Sequence, residues 1–221
     1  MKSTPRLLAL AVMVTAALSG CMKEKAPPVL RSEEAALVRE LGFDESVVLE
    51  FRKEGSGPLA RLTATNEEFQ NYEAGGPTVS IGEKKALKAL FKLRETMGSA
   101  GYMVFIVERN FGYVPDRLAL IKGTDQFEIL RIQGTNGINY DIGSDEIITR
   151  LKEWNAIYPL DIIGAGPDFV EAAFVKAPED MEAFAWKVYE FCPDVVDQGT
   201  GTVKALAAQM RRSGALYLWW D

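Results

Sequence analysis

Tyr102-Met103-Val104-Phe105-Ile106-Val107 is an apolar run without alternation, the pattern of a strand covered on both faces. It is the segment expected at the centre of a sheet. Immediately before it, Glu83 to Met97 carries Leu87, Leu90, Phe91 and Arg94 at helical intervals with lysines on the other face, and Gly98 closes the pattern. Immediately after it, Leu118 to Lys122 and Phe127 to Gln133 flank Gly123-Thr124-Asp125, which predicts a hairpin. Further towards the N-terminus, Glu33 to Leu41 has helical spacing, with Ser32 placed to cap it and Gly42 to end it. Val47 to Phe51 and Leu59 to Ala64 predict two strands joined through Glu54-Gly55-Ser56-Gly57-Pro58.

Towards the C-terminus, Ser144 opens a helix whose acids, Asp145 and Glu146, suit the positive end of its dipole, and Ile147, Ile148, Leu151 and Trp154 form its apolar stripe. Asp161 to Gly164 and Phe169 to Lys176 predict strands around Ala165-Gly166-Pro167. A helix opening at Pro178 stops at Cys192-Pro193, and another follows Gly199-Thr200-Gly201-Thr202 and closes at Gly214. Leu216 to Trp220 predicts a last strand. Strands and helices mix without a repeating βα unit or an internal repeat. The expected class is therefore α+β, a mixed and largely antiparallel sheet packed with amphipathic helices.

Composition narrows the chemistry. Of 221 residues, 48% are apolar and 25% charged, enough apolar material for a sizeable core. Histidine is absent, which removes Ser-His-Asp and Cys-His catalysis and His-ligated metal sites. A net charge of −6 has the wrong sign for a nucleic-acid partner.

The N-terminus reads as an export signal: Lys2 and Arg6 precede an uncharged run from Leu7 to Gly20, too short to span a bilayer core that needs about 20 residues. Leu18-Ser19-Gly20-Cys21 resembles the lipobox of bacterial lipoproteins. That resemblance implies a diacylglyceryl group on the Cys21 sulfur, cleavage before it, and acylation of the new amino group by a fatty acid such as palmitate. Each buried methylene contributes about 0.8 kcal/mol, so two or three chains anchor durably. Because Met22 follows Cys21, the resemblance further implies the periplasmic face of the outer membrane in a diderm host. Loss of Lys2 and Arg6 with the signal takes the side-chain charge from −6 to −8. Cys192 is then the sole free thiol, so no internal disulfide forms. The expected organisation is a signal peptide over 1–20, a lipidated tether over 21–32 containing Pro27-Pro28, an α+β segment over 33–111 and a C-terminal domain over 112–221.

That last domain has a resemblance of its own. Asn139-Tyr140-Asp141-Ile142, Ile163-Gly164-Ala165-Gly166, Glu190-Phe191-Cys192-Pro193-Asp194, Asp197-Gln198-Gly199-Thr200-Gly201-Thr202 and Leu216-Tyr217-Leu218-Trp219-Trp220-Asp221 together resemble domain of unknown function family 4253. The resemblance covers roughly Gly112 to Asp221 and implies no activity, substrate or catalytic residue.

Three candidate sites stand out. Gly199-Thr200-Gly201-Thr202 precedes a helix, where free N–H groups can hold an anion, although it is half of a dinucleotide motif, lacks a Walker lysine and follows Asp194 and Asp197. As a turn and cap it needs no ligand. Asp194 and Asp197, with Asp141, Asp145, Glu146, Asp161, Asp168 and Glu171, offer carboxylates for hydrolysis or a hard cation, yet their spacing matches no calcium loop, and carboxylates at turns ordinarily cap helices. Trp219 and Trp220 are adjacent on a strand and must face opposite ways. One of them, beside Tyr217, is a candidate protein-binding anchor; helices on both faces would make both rings core. Cys192 has no histidine to activate it and reads as a buried structural thiol.

No catalytic residue, cofactor or metal is assigned. The leading expectation is a membrane-anchored envelope module that binds another envelope protein. The alternatives are a carboxylate-based hydrolase or small-ligand enzyme, and an immunity-type inhibitor in which an acidic surface blocks a basic toxin.

Overall fold

Strand β3 (Tyr102–Glu108) occupies the middle of a seven-stranded sheet in the computed structural model, which describes residues 29–66 and 70–221. The expected signal peptide, Cys21 and the expected tether as far as residue 28 lie outside the described residues. Val104 and Ile106 turn to one face and Phe105 and Val107 to the other, all buried, so the strand has no polar face to alternate with.

The flanking strands are β1 (Ser56–Thr65), β2 (Asn71–Ile81), β4 (Asp116–Lys122), β5 (Leu160–Ala165), β6 (Phe169–Phe174) and β7 (Ala215–Trp219). Their order across the sheet is β1-β2-β4-β3-β5-β6-β7. Every pairing is antiparallel except β3 with β5, where Ile106 faces Gly164. Helices α1 (Ser32–Glu40), α2 (Glu45–Glu54) and α3 (Glu83–Met97) cover one face. Helices α4 (Glu128–Gln133), α5 (Ser144–Ile157), α6 (Met181–Phe191) and α7 (Val203–Ser213) cover the other. The class is the expected α+β, with the central strand where the sequence puts it. β3 comes from the N-terminal part of the chain yet lies between β4 and β5, so the sheet does not divide where the sequence resemblance begins.

Two expected hairpins are not formed. Val47 to Phe51 is helical: Asp44 accepts from Ser46 N at 2.8 Å and Val47 N at 3.3 Å, and Val48 and Phe51, three apart, both bury completely. The local β preference of two valines yields to a cap and a buried stripe. β1 then pairs with β2 instead, a strand to which the sequence pattern assigns no element, because Gly75-Gly76-Pro77 interrupts it. Gly76 is required there: a Cβ would lie 2.3 Å from the backbone oxygen of Leu120 on the neighbouring strand. Pro77 sits just before the β2–β4 pairing begins at Thr78 and beside a register shift in β1, where its missing N–H costs little.

In the second case, β4 does form, but Phe127 to Gln133 becomes α4. Asp125 accepts from Phe127 N at 3.0 Å, Ile129 and Leu130 bury, and Gly134 closes the helix at φ +61°. The helix expected to open at Pro178 starts at Met181, capped by Asp180.

Candidate functional site

The single parallel pairing creates a crevice. From β3 the chain turns towards β4, and from β5 it turns the opposite way towards β6, so the two loops diverge from the same edge of the sheet. Divergence of connections at strand carboxyl ends is where open sheets hold ligands. Here it opens a cleft of about 520 Å³ lined by Val107, Glu108, Arg109, Asn110 and Phe111, by Pro167, Asp168 and Phe169, and by Tyr217 and Trp219.

The floor follows from incomplete cover. Helices α1–α3 bury the sheet as far as Ile163 on β5. Beyond that, Tyr217 and Trp219 remain half-buried on the same face, paired across strands with Glu171 and Phe169. Phe169 and Tyr217 stack with ring centres 5.9 Å apart. Alternation along β7 turns the next ring the other way: Trp220 is 3% exposed and meets Phe191 edge-on. Trp220 therefore belongs to the core, and Trp219 with Tyr217 to the cleft.

Arg109 forms one wall and is fully engaged. Its Nε and Nη2 donate to Glu171 at 2.6–2.8 Å, and its Nη1 donates to Asp116, which is completely buried, at 3.1 Å. Asp116 also accepts from Asn110 N at 2.9 Å, fixing the start of the β3–β4 turn. Asp168, across the cleft, has an exposed carboxyl that is pushed up by partial desolvation against the cleft wall and by the Asp221 carboxylate. Burial takes the Tyr217 hydroxyl up to about 12, with Glu171 and Asp168 adding to it.

The other sequence candidates are placed elsewhere. Asp194 is buried at 2% exposure and accepts from Tyr140 Oη at 2.5 Å, Gln198 Nε2 at 2.9 Å and the backbone N–H of Asp221 at 2.9 Å. Burial alone would raise its pKa, but these three donors hold it below the usual carboxylate range, and the same bond takes Tyr140 to about 12. Asp194 thus clamps the last residue of the chain to its neighbours. Asp197 is exposed and accepts from Tyr189 Oη at 3.0 Å. In the Gly199–Thr202 stretch, Thr200 Oγ1 donates to the carbonyls of Val195 and Thr202, Gly201 N donates to Val196 O at 2.7 Å, and Thr202 Oγ1 caps α7 by accepting from Ala205 N at 3.1 Å. Its polar groups serve a π-helical turn over Val195–Thr200 and a helix start.

Asp161 pairs with Arg94 and Glu171 with Arg109. Among the described residues no group of three or more carboxylates and thiols is placed to hold a metal ion. Cys192 is fully buried, donates to Trp219 O at 2.9 Å, and burial pushes its thiol up to about 12, where it is no nucleophile.

Arg109, Asn110, Phe111 and Pro167 were not singled out by sequence. The signal that points to the turn is the pair of aromatic residues around Gly112, large apolar side chains in a segment that joins two strands.

Fold and cleft together define a single mixed sheet sandwiched by helices, with an aromatic-floored crevice at its one parallel junction. Residues 117–221 match the family model of a domain of unknown function (DUF4253). Comparison with curated proteins and with solved structures gives no match. The matched segment supplies the 167–169 wall and the Tyr217–Trp219 floor, whereas β3 and the wall from Glu108 to Phe111 lie before it.

Proposed function

We propose that the protein is a lipid-anchored module of the bacterial cell envelope that acts by binding, with the cleft between the β3–β4 and β5–β6 turns as its recognition site. The observation that carries the binding role is the aromatic floor. Tyr217 and Trp219 stay half-buried on a sheet face that the helices leave open, beside the exposed ring of Phe111. Rigid aromatic surface in a concavity is the usual source of hot-spot binding energy. The neighbouring charge of Arg109 is already satisfied by Glu171 and Asp116, so the cleft favours an apolar or aromatic group of an envelope protein over an anion.

Lipid anchoring rests on Leu18-Ser19-Gly20-Cys21. Among the described residues no helix is long and apolar enough to cross a membrane; acyl chains on Cys21 would supply the attachment.

Two experiments test this reading. Cys21→Ala removes the acceptor sulfur and should abolish incorporation of labelled palmitate; a wild-type chain that takes up no label would end the anchoring claim. Affinity capture from envelope extract should retain a stoichiometric protein on the wild-type bait and lose it with Trp219→Ala. Equal retention by both baits, or none by either, would remove the cleft from recognition.

A further inference from the structure

The turn from β3 to β4 presents apolar side chains that stand exposed among the described residues. Phe111, Tyr113 and Val114 are 66%, 91% and 57% exposed. The turn is built to hold them out: Phe111 and Gly112 adopt left-handed conformations at φ +48° and +82°, and Tyr113 N donates to Asn110 O at 3.0 Å. Asn110 Nδ2 donates to Pro115 O at 2.8 Å, closing the base.

The direction in which this turn points is set by the sheet register. Ser56, Ile81, Glu108 and Asp116 share one end of the sheet through the pairings Ser56 with Ser80, Ile81 with Asp116 and Glu108 with Arg117. The chain enters the fold at that same end. Glu34, in the first turn of α1, accepts from Leu59 N near the start of β1 and from Arg52 near the end of α2. The far end of α1 reaches Lys122, whose Nζ donates to Gly42 O at 2.6 Å at the opposite end of the sheet. Val29 is eight positions after Cys21, so the tether reaches at most about 28 Å. Lys84 and Lys85, at the start of α3, line the hollow beside Tyr113 and Val114, together with Glu83, whose carboxylate lies next to Gly112, and Glu54, which pairs with Lys92.

We infer that Tyr113 and Val114 dock into the phospholipid surface that holds the Cys21 lipid, with the carboxyl ends of β3 and β5 towards the bilayer and the cleft of Phe111, Tyr217 and Trp219 left to its partner along the open sheet face. The inference rests on the lipid-anchoring reading above for its geometry. A tether of at most about 28 Å keeps this end of the sheet within reach of the interface, where aromatic rings sit at headgroup level.

The test is a depth measurement on the lipidated protein in vesicles of phosphatidylethanolamine and phosphatidylglycerol at 3:1. A nitroxide is attached at Val114→Cys, and a control at Thr124→Cys, which is exposed at the opposite end of the sheet. Cys192 is buried and does not compete for label. The expected result is several-fold greater relaxation by oxygen than by chromium oxalate at 114, aqueous behaviour at 124, and loss of the contrast at 114 in the Tyr113→Ser background. An aqueous signal at 114 on a vesicle-bound protein overturns docking and leaves the turn to a protein partner. A second arm replaces residues 1–21 by a hexahistidine segment held on a nickel-chelating lipid. Depth at 114 in that arm, with a native chain that fails to bind vesicles, would refute anchoring through Cys21 while retaining the docking turn.

Discussion

Arg109→Met should be the most damaging single change at the cleft. The substitution keeps an unbranched stem but strands two carboxylates: Asp116, with no exposed surface, and Glu171, 13% exposed. Breaking a buried ion pair by removing one partner costs about 3–5 kcal/mol, because the remaining charge keeps its desolvation penalty without its attraction. Asp116 retains the N–H of Asn110, which places the expected loss towards the lower end, about 3 kcal/mol. With a urea dependence of about 2–3 kcal/mol/M, the unfolding midpoint should fall by roughly 1–1.5 M. Tryptophan emission reports the transition. The decisive comparison is a cycle with Glu171→Met: the double variant should cost about 1–3 kcal/mol less than the sum of the singles, since the second change removes one of the stranded charges. A loss below about 1 kcal/mol for Arg109→Met, or strict additivity with Glu171→Met, would refute the claim that this guanidinium holds the cleft wall by charge pairing.

Three further outcomes follow from the packing. Glu34 accepts four hydrogen bonds, from Arg31 N and Nη2, Arg52 Nε and Leu59 N; burial acts against ionisation, but these bonds prevail and hold its pKa at about 2 against the usual 4.5. A depressed carboxylate stabilises the fold above its unfolded pKa and loses that contribution as pH falls through the folded one, so about 3 kcal/mol should vanish between pH 4.5 and 2; the stability difference between wild type and Glu34→Gln, followed by urea unfolding across that range, should shrink, and a constant difference would contradict the assignment. Trp220→Ala should cost about 3–5 kcal/mol by emptying the core against Phe191, and Trp219→Ala clearly less because its ring is only partly buried and lines the cleft; equal losses in thermal unfolding would mean the two faces are wrongly assigned. A 117–221 fragment lacks β3, which separates β4 from β5, so it should show no cooperative unfolding by near-ultraviolet circular dichroism, whereas a sharp transition would show that the two strands can pair directly.

Legibility in the sequence varied with how local the deciding interaction is. The bounds of the helix from Glu83 to Met97 were readable, because its periodicity and its closing Gly98 lie within one segment, but its buried stripe was not: Leu87 and Phe91 are exposed, and Ala86, Ala89, Leu90, Leu93 and Met97 face the core. Val47 to Phe51 and Phe127 to Gln133 were not, since short apolar runs rich in β-branched or aromatic residues fit either period, and the arbiters were Asp44 and Asp125, side chains just ahead of each run. Asn71 to Ile81 was hidden by Gly75-Gly76-Pro77, and the reason for Gly76, the backbone of Leu120, is more than forty residues away. The paired tryptophans were legible as opposites, but which one faced the core depended on where α1–α3 stop. For the site, Tyr217 and Trp219 were visible as candidates, while Arg109 and the turn after it were not, because an isolated arginine gains meaning only from the carboxylates that surround it.

The sequence by itself determined the α+β class, the central place of β3, the absence of imidazole chemistry and the unreactive character of Cys192, all consequences of composition and near-neighbour pattern. Tertiary structure alone decided that β3 lies between β4 and β5, that their parallel contact opens the cleft, and that Asp194 and the Gly199–Thr202 turn serve the fold. Sheet order is a property of long-range pairing, set by which apolar faces can be buried together, and no local stretch of this chain records it.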